Sequence, residues 1–169
     1  MTRFRPMRRV RQQLPPEEAE EILRTATAGV MAVAGDDGYP YAVPVSYVYA
    51  GGKIYFHSAL QGHKIDAIRS NPKVSFCVIA RDDIRPREFT TYFKSVIAFG
   101  KAQVIEDEEK KSHALRLLAG RYSDNTVTPE MTEKEISGGF NRLLMVEITI
   151  EHITGKEAIE LVRQNEGQS

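Results

Sequence analysis

The chain has a single cysteine, no surplus charge of either sign and no long apolar run, and each shortage closes off a class of protein. One cysteine, Cys77, in 169 residues leaves no intrachain disulfide and fits a reducing compartment. Lys and Arg number 23 together, as do Asp and Glu, so no net field selects a nucleic acid or a charged substrate. No segment approaches the apolar length that crosses a bilayer, and the N-terminus has no secretory apolar core, so a cytoplasmic location is expected. Several familiar chemistries are missing too: there is no GxGxxG fingerprint, no Walker loop, and no CxxC or HExxH spacing. His57 and His63 are six apart, and His113 and His152 lie far off, so no metal site is expected. Ser58 and Ser95 lack the context of a nucleophile elbow, which removes a hydrolytic serine. No repeat of 20–50 residues and no low-complexity segment is present.

What is there suits a single domain with a real core: 41% hydrophobic and 27% charged residues. The division expected is a basic arm over 1–13, one domain over 14–160 and a tail over 161–169. Arg3, Arg5, Arg8, Arg9 and Arg11 fall in the arm with no acid among them. Such a run is either a solvated arm packed on a partner subunit or a nucleic-acid contact. No aromatic array accompanies it, so no nucleic-acid partner is expected.

The periodicity predicts a first helix from Pro15, Pro16, Glu17 and Glu18, with an apolar stripe of Ala19, Ile22, Leu23 and Ala26 and an end at Gly29. Period two follows over 30–34, up to the turn Asp36, Asp37, Gly38. Residues 39–49 read as one strand, with Tyr41, Val43, Val45, Tyr47 and Tyr49 on one face. Its two prolines mark an edge or a bulge, where backbone groups stay free. Gly51 and Gly52 turn the chain into a third strand over 53–58. A helix over about 63–70, a fourth strand over 73–80, a charged loop over 81–89 and a long strand over 90–106 come next. Gly100 suggests a bend in that long strand. Cys77 is expected as a small buried hydrophobe. Asp107 caps a helix to about Tyr122, a short helix covers 133–140, and a last strand runs over 143–153. Six antiparallel strands with helices at the ends predict an α+β, mainly β, small barrel with helical plugs.

Residues 54–64 carry the most chemistry. An apolar run ends at His57 and Ser58, and a short loop leads through Gly62, His63 and Lys64 into a helix start. Four donor side chains (His57, Ser58, His63, Lys64) stand beside free N–H groups and the positive end of a helix dipole, which together suit a phosphate. The alternative is a hairpin exit with ordinary polar loop residues.

Four motifs in order resemble the pyridoxamine 5′-phosphate oxidase-related, FMN-binding split β-barrel proteins. They are Pro44, Val45, Ser46 and Tyr47; residues 54–59 with Gly62, His63 and Lys64; residues 92–100; and residues 153–157. The branch they resemble most is the nitroimidazole-resistance (Nim-type) proteins, over roughly 7–160. The resemblance implies a six-stranded split barrel and a homodimer with two FMN sites, each built from both subunits. It places the flavin phosphate near residues 57–64, the ring edge along the backbone of Pro44, Val45 and Ser46, and partner contacts at Ser95 and Val96. Ala59, Val45 and Val96 would line the ring slot, and His57 would lie beside the flavin as the catalytic residue. The dense Arg and Lys set that holds the substrate phosphate in pyridoxamine-phosphate oxidases is not found, which argues against a vitamin-B6 substrate. The expected function is an FMN-dependent oxidoreductase acting on small electron acceptors, nitroaromatics among them. The alternative is an FMN or haem binding module with little turnover, in which His57 or His63 is an axial ligand.

Overall fold

Alternating apolar residues build one antiparallel sheet, which the computed structural model describes within residues 4–167. Its strands are β1 (Ala28–Ala34), β2 (Pro40–Ser46), β3 (Val48–Ala50), β4 (Lys53–Ser58), β5 (Lys73–Arg85), β6 (Thr90–Val104) and β7 (Leu144–Glu157). The helices are α1 (Pro16–Thr25), α2 (His63–Ser70), α3 (Glu108–Tyr122), α4 (Pro129–Gly139) and α5 (Ile159–Gly167). Strand order is β2-β1-β5-β6-β7-β4-β3. This is the expected α+β split barrel with one strand more than the six foreseen.

The extra strand comes from Tyr47. Residues 39–49 are not one strand: β2 pairs with β1, β3 pairs with β4, and the two lie at opposite ends of the sheet with only Tyr47 between them. The sheet must therefore curl until its ends meet, and no β2–β3 ladder closes it among the described residues. Tyr47 is fully buried at this corner. Its N–H meets the Tyr122 hydroxyl at 3.0 Å and the Thr27 carbonyl at 3.4 Å, and its own hydroxyl donates to the Leu23 carbonyl at 2.7 Å. The two prolines do sit on an edge strand, where a missing N–H costs no ladder bond.

The curl gives the sheet an inside. Ile22 and Leu23 of α1 and Ile65 and Ile68 of α2 fill it, against Met31, Phe76, Val96 and Ile148. Outside, α3 and α4 cover β3, β4 and β7: Ala114, Leu115, Leu118 and Ile136 meet Val48, Tyr55 and Met145. Among the described residues, no helix covers the outer face of β1, β5 and β6. Val30 stands opposite Cys77 and Cys77 opposite Ile97, while Val30, Ile97, Phe99 and Ile79 are 38%, 41%, 38% and 70% exposed. Cys77 lies on this face and is half-buried rather than fully buried, and burial pushes its thiol pKa up.

Other boundaries move for identifiable reasons. The expected loop 81–89 is mostly strand, because β5 runs on to Arg85 past a bulge between Ile79 and Arg81. Arg81 and Arg85 both pair with Asp83, at 3.0 and 2.7 Å, and lie over the Tyr92 ring, so charge pairs and stacking hold a hairpin that lacks an apolar pattern. α1 stops at Thr25, not Gly29. Gly29 is inside β1, where the Phe76 ring leaves no room for a Cβ. α4 begins at Pro129, capped by the Thr128 hydroxyl, which accepts from the Met131 N–H at 3.3 Å. β7 continues to Glu157. Of the expected tail, residues 161–167 belong to α5, which buries Leu161 and Val162; 168–169 lie outside the described residues. The arm lies against its own chain: Phe4 stacks on His152 at 4.7 Å, Gln12 is buried, and Arg11 pairs with Glu166 at 2.5 Å. Arg3 lies outside the described residues. No described helix is long and apolar enough to cross a membrane.

Candidate functional site

β4 ends at Ser58, and Gly62 at φ 135° swings the chain into α2, a backbone angle that side chains rarely adopt. Ser58 is 3% exposed, and its Oγ has no hydrogen-bond partner among the described residues. A buried hydroxyl left in that state costs roughly 1–3 kcal/mol. Immediately beyond, the Ile65 and Asp66 N–H groups turn back to the Gly62 carbonyl at 2.9 and 3.1 Å. Those of His63 and Lys64 precede the first intrahelical acceptor. Lys64 is half-buried and has no ion pair among the described residues. The opening amides of α2 and Lys64 are donors in this segment, and the first turn of α2 also carries the exposed Asp66 carboxylate.

His63 does not join them freely. Its ring stacks on Tyr41 at 4.0 Å, and its Nε2 stands 3.6 Å from Asp36 Oδ2, so it faces the β1–β2 turn. His57 is exposed on the outer face of β4, opposite Met145. With Ser46 from the end of β2 it borders a cavity of about 390 Å³, otherwise lined mainly by apolar side chains. Leu115, Leu118, Ala119 and Tyr122 come from α3, Glu135, Ile136 and Gly139 from α4, and Leu143 from the turn before β7. Tyr122 spends its hydroxyl on the Thr27 carbonyl and the Tyr47 N–H and so presents its ring.

The remaining expected residues divide by face. Pro44 and Ser46 point outward along the free edge of β2, whose outer backbone groups have no strand partner, while Val45 turns in against the core. Ala59 is exposed beside Ser58. Ser95 faces out, half-buried, between Ile79 and Lys156. Val96 is a correction: it is fully buried on the inner face, so its side chain lines no slot on the outside. The α3 and α4 residues were not foreseen as site residues. Their spacing, Leu115 to Leu118, is that of any core-facing helix, and only Tyr47 holding β2 beside β4 brings Ser46 and His57 under them.

Residues 15–157 match the sequence model of the family described as pyridoxamine 5′-phosphate oxidase. An uncharacterised protein of Rhizobium meliloti is 28% identical over 151 residues, 84% of this chain and 91% of that one. Among solved structures, an FAD-binding protein from Mesorhizobium loti is 27% identical, with a TM-score of 0.62 over 87% of this chain and 97% of that one. A protein assigned to 5-nitroimidazole antibiotic resistance in Bacteroides thetaiotaomicron superposes with a TM-score of 0.73 over 86% of each chain at 22% identity, a likeness of fold.

Proposed function

The chain belongs to the pyridoxamine 5′-phosphate oxidase family, and from that membership we propose that it is an FMN-dependent oxidoreductase, working as a cytoplasmic homodimer on small electron acceptors such as nitroaromatics. The observation that carries the reading is the buried Ser58 hydroxyl, without a partner among the described residues, at the end of the strand that leads into α2 and Lys64. These groups fit a phosphate monoester: a dianion takes hydrogen bonds and offers none. A flavin ring also needs backbone partners for its polar edge, and the outer edge of β2 has backbone groups to spare.

When bound, the flavin supplies reversible two-electron storage. The chain supplies the rest. Ser58 and Lys64 hold the phosphate, β2 orients the ring by its backbone, and α3 and α4 keep water from the side they cover. Reducing a nitro group or a quinone takes up protons as well as electrons, and an imidazole nitrogen of His57, which is exposed and borders the cavity, would deliver one. A second copy of the chain would cover Val30, Ile79, Ile97 and Phe99 and bring its own Ser95 to the site's open side.

The test is the spectrum of the purified protein and the mass of the cofactor it releases. FMN bands with one FMN per chain are expected. FAD in its place would keep the flavin and replace the cofactor. A Soret band would establish a haem module, and a colourless protein that takes up no added FMN would overturn the proposal.

A further inference from the structure

We propose that the cavity under α3 and α4 is the subsite for the second substrate, and that it selects small, flat, aromatic molecules without negative charge. This rests on the flavin reading above and names the substrate class of that same site. Five observations support it. The cavity, about 390 Å³, is at the small end of ligand pockets and has room for a molecule of one or two rings. Its walls are flat hydrocarbon: Leu115, Leu118 and Ile136, with the Tyr122 ring, whose hydroxyl is already committed to backbone. Its two free hydrogen-bonding side chains, Ser46 and His57, both come from the sheet side, where the flavin ring is proposed to lie. A nitro or quinone oxygen pointing that way would find two donors, while the ring behind it would find only hydrocarbon. The one charged residue in the lining is Glu135. No Lys or Arg lines the cavity; Arg116 of α3 is taken by Glu133 at 2.8 Å, and Arg142 donates to the Gly138 carbonyl at 2.7 Å. A carboxylate on the incoming molecule would meet that charge, and a neutral molecule would not.

The lining also explains why α3 and α4 are clipped together. Arg116 grips both Glu133 oxygens, at 2.8 and 3.0 Å, and Lys111 donates to the Phe140 carbonyl at 2.6 Å. The first bond ties α3 to α4, and the second ties α3 to the turn that follows α4.

The experiment uses the FMN-loaded full chain and two probes of equal size, 4-nitrobenzamide and 4-nitrobenzoate, titrated by flavin fluorescence without turnover. The neutral probe should bind about tenfold or more tightly than the anion. Glu135→Gln should shrink that ratio to about twofold, and Glu135→Lys should reverse it; both changes are on an exposed helix position and leave the core untouched. Ala119→Phe, which fills the cavity, should abolish binding of both probes with FMN affinity changed by less than about twofold. Probe binding that survives Ala119→Phe, or a ratio indifferent to Glu135, would overturn the proposal. A parallel loss of FMN in Ala119→Phe would also overturn it, by making the cavity the cofactor's own slot. If the native chain takes up no FMN, the flavin reading fails by itself, and the same probe titration on the apo-protein, followed by calorimetry, decides the subsite separately.

Discussion

Ser58 serves the folded chain and its ligand in opposite ways. An unpartnered buried hydroxyl destabilises the empty protein, yet it is the donor that a phosphate would use. Ser58→Ala should therefore raise the melting temperature of the apo-protein, by an amount corresponding to about 1 kcal/mol, while weakening FMN binding by at least as much. Loss of stability together with unchanged FMN affinity would show that the hydroxyl serves the fold alone. Lys64 should behave differently, since it is half-buried at the helix start and pairs with no described carboxylate. Lys64→Ala should cost about 1.5–3 kcal/mol of FMN binding and leave riboflavin, which has no phosphate, almost untouched. Equal losses for both ligands in the same titration would place Lys64 away from the phosphate.

At the scale of the element, two glycines test how closely strands and helices approach. Gly100 interrupts the β6–β7 register, and an added Cβ would land on the Thr149 carbonyl oxygen. Gly120, in α3, has nothing within 4 Å of such an atom. Gly100→Ala should destabilise by roughly 1–3 kcal/mol, and Gly120→Ala should stabilise by roughly 0.5–1 kcal/mol, both read from denaturant midpoints. A third element, the β4–β7 ladder, carries a pH signature. Burial alone would raise the Glu147 carboxyl, but Lys53 at 2.9 Å, with Tyr55 and Gln103, outweighs it and holds the pKa below the usual range. A lowered folded pKa means stability that is present above the unfolded value of about 4.3 and lost as pH falls through the folded one. Thermal unfolding from neutral pH to about pH 3 should show a drop that Glu147→Gln lacks, of under about 1 kcal/mol because Lys53 is partly solvated. The same elements show how far the sequence could be read. Helix caps, turn glycines and period-two runs are local, so α2, α3, β4 and the Gly100 irregularity were all foreseen. The division of 39–49 was not, because Tyr47 keeps the alternation intact and only its bonds to Leu23, Thr27 and Tyr122, distant in the chain, decide where it bends. The hairpin at 81–89 was hidden for a similar reason: its cross-strand partners are charges, which carry no hydrophobic period. For the candidate site, residues 57–64 could be read as a polar strand end running into a helix start, whereas the helices over the cavity and the inward turn of Val96 are products of packing.

Taken whole, the described residues leave the outer face of β1, β5 and β6 without a helix. Val30, Ile79, Ile97 and Phe99, the last in ring contact with Phe4, make the face on which a second copy is proposed to sit, next to the edge that carries Pro44 and Ser46. A ligand that binds between copies favours the assembled state, so FMN should shift a dilute sample toward dimer in sedimentation, across an interface above roughly 1,000 Å². No shift, at concentrations where the apo-protein is partly monomeric, would confine the site to one subunit. The corner at Tyr47 also has a temporal meaning. During synthesis β3 and β4 emerge early, but their sheet neighbour β7 is the last strand made, so their edge waits unpaired for most of translation. Such long-range pairing slows folding and leaves a sticky edge exposed. The short β3, the charged Lys53 and the glycine pair at 51–52 are the features that make this edge a poor template for other chains while it waits.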